Sequence, residues 1–235
     1  MSATAAVALA AAGDLGPFMA VDATPGPDWV SWADVVGEPV VLRDRVRQAR
    51  ELLAPVPGAP VVEPRVAASI VHLGLVARLL SPLLGAALVT GVLPVAAPDR
   101  VHLRPTGSHP LPLALPGADA VPVSGADEVA GALGRHWLTP AVEPLDAAVH
   151  DRFRLSRKVL SGNVVSAVAG ALRTAAGARP ELARRAADVL DAVLTDGPLA
   201  GTGRRRDDGS FVRRSCCLFY RLPGAGTCAD CVLTG

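Results

Sequence analysis

Residues 65–94 read RVAASIVHLGLVARLLSPLLGAALVTGVLP, and the architecture around them depends on how this segment folds. From Arg65 to Leu80 nearly every position is apolar, so a helix here has almost no face left for solvent and belongs in the interior. Three polar members, Arg65, Ser69 and His72, fall at i, i+4 and i+7 and therefore share one stripe. From Leu79 to Pro98 no residue is charged, a run long enough to cross a bilayer. Pro82, Gly85, Gly91 and Pro94 interrupt that run, so the expectation is two short buried helices in place of one long span.

The composition agrees with a helical interior. Of 235 residues, 50% are hydrophobic but only 3% aromatic, so a core must be built from Ala, Val and Leu. Helices use that supply better than strands, which favour aromatic and β-branched side chains. A net charge of +1 provides no general field to recruit nucleic acid or an anionic membrane, and no nucleic-acid partner is expected. The opening MSATAAVALAAAGDLG is apolar yet lacks the basic start of a secretory signal, so the default reading is a cytoplasmic protein.

Moving outward, an Ala-rich helix should end at Gly13, followed by a loop-like segment with breakers at Pro17, Pro25, Gly26 and Pro27. Residues 39–54 carry Val41, Leu42, Val46, Leu52 and Leu53 among charges and predict a helix, and PVPGAPVVEP then breaks the chain. VHLRP (101–105) and PLPLALP (110–116) read as the only strands, arranged as a hairpin. A helix over 124–134 is expected with Ser124 as its cap. Residues 141–176 read as largely helical with a break near Asp151, and Leu160, Val164, Val168 and Ala171 mark one face. Pro180 opens a last helix carrying Leu182, Ala186, Val189, Leu190 and Val193. The fold class is therefore α+β, mainly helical with a small sheet or hairpin. Its expected organisation is a helical body (1–196), a Gly/Arg-rich linker (197–212) and a cysteine-bearing tail (213–235).

All four cysteines lie in that tail: Cys216 and Cys217 adjacent, then Cys228 and Cys231 as a CxxC. Nothing suggests secretion, which weighs against disulfide staples, and four thiols within reach of one another point to a metal site. The CxxC half serves zinc or iron alike. The doublet discriminates better: neighbouring residues in extended chain point to opposite sides, which suits a site wider than one ion. A 2Fe–2S centre is such a site, with a zinc site and inert or disulfide-bonded thiols as the alternatives. Arg213, Arg214 and Arg221 would offset the charge of a thiolate cluster, and Leu218, Phe219, Tyr220 and Leu222 would shield it. The loop Pro223-Gly224-Ala225-Gly226 has the freedom to fold over it and offer amides to sulfur.

The tail RRSCCLFYRLPGAGTCADC (213–231) resembles the C-terminal signature of the FhuF-type ferric-siderophore reductases, with cysteines spaced C-C-x10-C-x2-C. The stretches 65–94 and 160–173 (LSGNVVSAVAGALR) are more loosely similar to parts of the same family. The resemblance implies that Cys216, Cys217, Cys228 and Cys231 ligate a 2Fe–2S cluster, with Ala229 standing where the family often has Gly. It implies one-electron reduction of a ferric siderophore, of hydroxamate type, with Fe(II) released in the cytoplasm. The body would then offer the siderophore surface, and Arg65, Ser69 and His72 are candidates to line it. The other reading of that stripe is a polar face satisfied by its neighbours.

No electron source is legible in the chain. GPLAGTGRRR contains GTG but neither a GxGxxG frame nor a P-loop lysine, so a separate donor, a ferredoxin or a flavin reductase, is implied. Contact with the inner face of a membrane siderophore transporter fits the same role. His102, His109, His136 and His150 show no ligand spacing, and Asn163 within an apolar helix reads as a buried hydrogen-bonding residue or part of a pocket. The rival functions are a zinc-stabilised binding module and an iron–sulfur redox sensor without reductase activity.

Overall fold

In the computed structural model, which describes residues 1–54, 61–106 and 110–234, one long helix runs through a mainly helical α+β fold. This helix, α4 (Pro64–Thr90), is continuous, so the expectation of two short helices is overturned. Pro82 sits inside it and withholds one backbone donor, a cost of about 3 kcal/mol in an exposed helix. Here the residues on both sides, Leu79, Leu80, Leu83 and Leu84, are wholly buried, and their packing outweighs one missing hydrogen bond. Gly85 is a contact point: an added Cβ would stand 3.1 Å from the Met19 sulfur and 3.3 Å from Ala12 Cβ. The true stop is Gly91, whose left-handed backbone (φ 70°) caps the helix.

The other helices pack on α4 directly or through one another. They are α1 (Ala3–Gly13), α2 (Trp32–Gly37), α3 (Pro39–Leu52), α5 (Ala126–Leu133), α6 (Glu143–Phe153), α7 (Arg157–Ala178) and α8 (Ala183–Thr195). A nine-residue π-helical segment, Gly134–Val142, joins α5 to α6. The break foreseen near Asp151 falls at Arg154, which is left-handed (φ 57°), and Ser156 then caps α7 by accepting from the Val159 amide. Ser124 is not a cap: α5 starts after Gly125, and the Ser124 amide donates to Glu128 Oε2 at 2.8 Å. The short helix α2, unforeseen where the loop-like stretch ends, opens with a reciprocal Ser31–Asp34 capping box.

α4 and α7 are each long and apolar enough to cross a membrane by length and composition, and in this fold they pack on one another within the core. The core is Ala, Val and Leu, as the composition requires, with Trp32 and Trp137 as its largest members. Each indole donates to a backbone oxygen, Trp32 to Ala141 and Trp137 to Pro94, both at 2.9 Å.

The hairpin expected near 101–116 is present as β3 (His102–Leu103) against β4 (Leu113–Ala114), antiparallel. Its intervening residues 107–109, like 55–60 in the expected break after α3, lie outside the described residues. These are not the only strands. β1 (Val30–Ser31) extends that sheet, β2 (Val92–Val95) pairs with β5 (Asp119–Pro122), and β6 (Gly203–Arg205) pairs with β7 (Phe211–Arg213). The β6–β7 hairpin lies in the Gly/Arg-rich segment, and its Phe211 joins the same apolar core as α7 and α8.

Candidate metal centre

The tail leaves β7 and lies across α4 and α7. Small and polar residues on α7 receive it: Gly162, Asn163 and Ser166 recur at i, i+1 and i+4 on one helical face. Gly162 permits the closest approach, since a Cβ there would fall 1.9 Å from Ser215 Oγ.

Arg213 locks the tail in place. It is 2% exposed, and its guanidinium donates to both oxygens of Asp230 (3.1 and 2.9 Å), to Asn163 Oδ1 (3.1 Å) and to Ser166 Oγ (3.0 Å). The same Nη2 lies 3.6 Å from Cys228 Sγ. Ser166 in turn donates to Asp230 Oδ2 at 2.5 Å. Burial pushes the Asp230 carboxyl up, but the hydrogen bonds from Arg213 and Ser166 and the charge of Arg213 outweigh it, holding the group below the usual carboxylate range. Burial likewise opposes the charge of Arg213, and Asp230 more than restores it.

From α4, Ser69 Oγ donates to the Cys217 carbonyl at 2.8 Å, and Asn163 Nδ2 reaches both Ser69 O and Ser69 Oγ at 3.0 Å. His72 Nε2 stands 2.6 Å from Asp146 Oδ1 on α6. Ser69 and His72 are fully buried and bonded to protein groups. Arg65 is exposed and pairs with Glu63, whose other face takes Arg221 at 3.2 Å. Arg214 is exposed, with its amide donating to Thr202 O. Of the three tail arginines, then, only Arg213 reaches a sulfur. Of the apolar four, Leu222 is buried, Leu218 and Phe219 are half-buried, and Tyr220 is exposed.

All four thiols are free. Cys217 Sγ and Cys228 Sγ are 3.5 Å apart. Cys216 Sγ accepts from the Leu218 amide and Cys231 Sγ from the Leu233 amide, each at 3.4 Å. These amides lie two residues beyond their cysteines, not in the Pro223–Gly226 loop. Leu218 is left-handed (φ 68°), a conformation unfavourable for a leucine, and it reverses the chain right after the doublet. Burial pushes the Cys228 thiol up, Arg213 pulls it down, and neighbouring Cys217 pushes it up again. Cys216 is also raised, first by burial and then by Cys217 and Cys231 beside it. Among the described residues, no three His, Cys, Asp or Glu side chains gather as one metal-binding group; of the sulfurs, Cys217 and Cys228 meet as a pair.

A short tail of four free thiols, braced by its own buried Arg213–Asp230 pair and hydrogen-bonded to the helical body through Asn163, Ser166 and Ser69, defines a sulfur centre with a fixed cation at one edge. Residues 213–233 match the family model described as the FhuF 2Fe-2S C-terminal domain, in agreement with the resemblance carried by the cysteine spacing. The match covers the tail alone, so what it shows is that these residues are similar to an iron–sulfur domain. No curated protein matches the chain.

The residues present suit such a centre. Four thiols are the required donor number, two amides and one guanidinium already aim at sulfur, and the buried Ser215 Oγ has no hydrogen-bond partner of its own. Asp230, Ser166, Gly162 and Ser215 were not singled out in the sequence. The signals for them were an acid inside the CxxC, facing Arg213, and the small or polar triplet Gly162, Asn163 and Ser166 in an apolar helix.

Proposed function

We propose that the chain reduces ferric siderophores by one electron through a 2Fe–2S centre held by Cys216, Cys217, Cys228 and Cys231. The observation that carries this reading is the free thiol quartet, with Cys217 and Cys228 at 3.5 Å and Arg213 beside it, inside a segment matching an iron–sulfur domain. When bound, such a centre supplies a one-electron store at low potential. Ferric siderophores hold Fe(III) through hard oxygen donors and Fe(II) far more weakly, so one electron makes the chelate releasable without a bond made by the protein.

The chain's residues divide the work. Arg213 keeps a positive charge at the Cys228 edge, which favours the more negative, reduced state. Asp230, Asn163 and Ser166 hold that guanidinium in place, so its charge does not swing toward solvent. Leu222 and Cys217 are buried while Cys216 and Cys228 are half-exposed, which leaves a route for an electron at the surface. The donor is a separate protein, a ferredoxin or flavin reductase, and the site of action is the cytoplasm.

Protein purified without oxygen should be red-brown, with iron and acid-labile sulfide each near about two per chain. Mixing the reduced protein with ferrioxamine or ferrichrome in a stopped-flow instrument should reoxidise it as Fe(II) appears. Cys217→Ala and Cys228→Ala should each abolish the visible absorption. Stoichiometric zinc without sulfide would end this reading, and failure to reoxidise on any chelate would leave a sensor in its place.

A further inference from the structure

The four sulfurs do not have equivalent surroundings. Cys217 and Cys228 touch each other at 3.5 Å, and Cys228 is within hydrogen-bond reach of the Arg213 guanidinium. Cys216 and Cys231 each accept from the amide two residues further on, at the same 3.4 Å. With Cys217 and Cys228 taken as one pair, Cys216 and Cys231 are the two sulfurs that remain. Two thiolates on one tetrahedral metal with bonds near 2.3 Å stand about 3.8 Å apart, whereas thiolates on different metals of a bridged pair are further separated. The Cys217–Cys228 distance is already within a few tenths of an ångström of the first case.

We infer that the ligands cross: Cys217 and Cys228 bind one metal atom of the centre, and Cys216 and Cys231 bind the other. Each metal takes one thiolate from the doublet and one from the CxxC, so neither sequence motif is a binding unit by itself. The backbone explains the crossing. Residues 216 and 217 lie in non-helical chain that sends successive side chains apart, and the left-handed Leu218 turns the chain back immediately afterwards. The two halves of the centre then differ chemically, one beside a buried cation and the other bonded only to neutral amides. In a bound centre, the Arg213 charge would favour the added negative charge of the reduced state on the half held by Cys217 and Cys228. This assignment rests on the cluster reading above.

Serine variants of each cysteine, which offer an oxygen ligand in the same place, test it in protein loaded with 57Fe and reduced. In Mössbauer spectra, Cys217→Ser and Cys228→Ser should alter the Fe(II) component, and Cys216→Ser and Cys231→Ser the Fe(III) component. Sorting as 216 with 217 and 228 with 231 would overturn the crossing. A second measurement stands if serine variants do not load. Metal-free Cys216→Ala/Cys231→Ala, which retains the 3.5 Å pair, should bind Cd2+ at least about tenfold more tightly than Cys216→Ala/Cys217→Ala, which retains the CxxC. Tighter binding by the CxxC variant would refute the pairing. Iron and sulfide analysis of the unaltered chain keeps the two questions separate: missing sulfide sinks the cluster reading, while a full cluster with the other sorting sinks only the crossing.

Discussion

Replacing Arg213 by Met removes the charge and keeps most of the volume. The side chain is 1% exposed and its partner Asp230 is 10% exposed, so solvent screens little of the interaction. Hydrogen bonds to a charged group contribute about 1.5–3 kcal/mol each, but the four to oxygen share one guanidinium and do not add. The better measure is what remains: a buried Asp230 carboxylate without its cation, held by Ser166 and other neutral donors, a situation that costs about 3–5 kcal/mol. For a chain of this length that corresponds to a melting temperature lowered by roughly 6–20 °C. Anaerobic urea titration followed by circular dichroism should give this loss, and Arg213→Met/Asp230→Leu, which removes both charges, should recover most of it. A loss below about 1 kcal/mol in the single variant would show that Arg213 and Asp230 do not hold the tail.

Gly162→Ala should loosen the tail, with overpacking against Ser215 costing about 1–3 kcal/mol and helix propensity returning about 1 kcal/mol. In a Ser215→Gly background the same change should stabilise, and a double-mutant coupling under about 0.5 kcal/mol would exclude the close approach. At the other end of the chain, hydrogen bonds from Ser31 hold the Asp34 carboxyl below its ordinary value. Because this folded-state pKa is depressed, its stabilising contribution is present above the unfolded value of about 3.9 and is lost as pH falls through the folded one. An NMR pH titration should show a low Asp34 pKa that rises in Ser31→Ala; an unchanged value would contradict the capping box.

Local pattern carried much of this protein. The face repeating through Leu160, Val164, Val168 and Ala171 specifies α7, Pro39 opens α3, and Gly91 ends α4, because periodicity, a fixed φ and a left-handed cap act within a turn or two of chain. The concentration of thiols in the last twenty residues, and their similarity to an iron–sulfur domain, are likewise legible along the chain. What spacing could not carry is direction over distance. Pro82 reads as a breaker until α1, α3 and α7 surround α4 and make one straight helix cheaper than two exposed ends. Arg213, Arg214 and Arg221 look alike along the chain, yet only Arg213 finds Asp230, Asn163 and Ser166 around it. The side of α4 bearing Ser69 and His72 became interior only when the tail and α6 closed over it, since burial is decided by whichever segment arrives from 70 to 150 residues away.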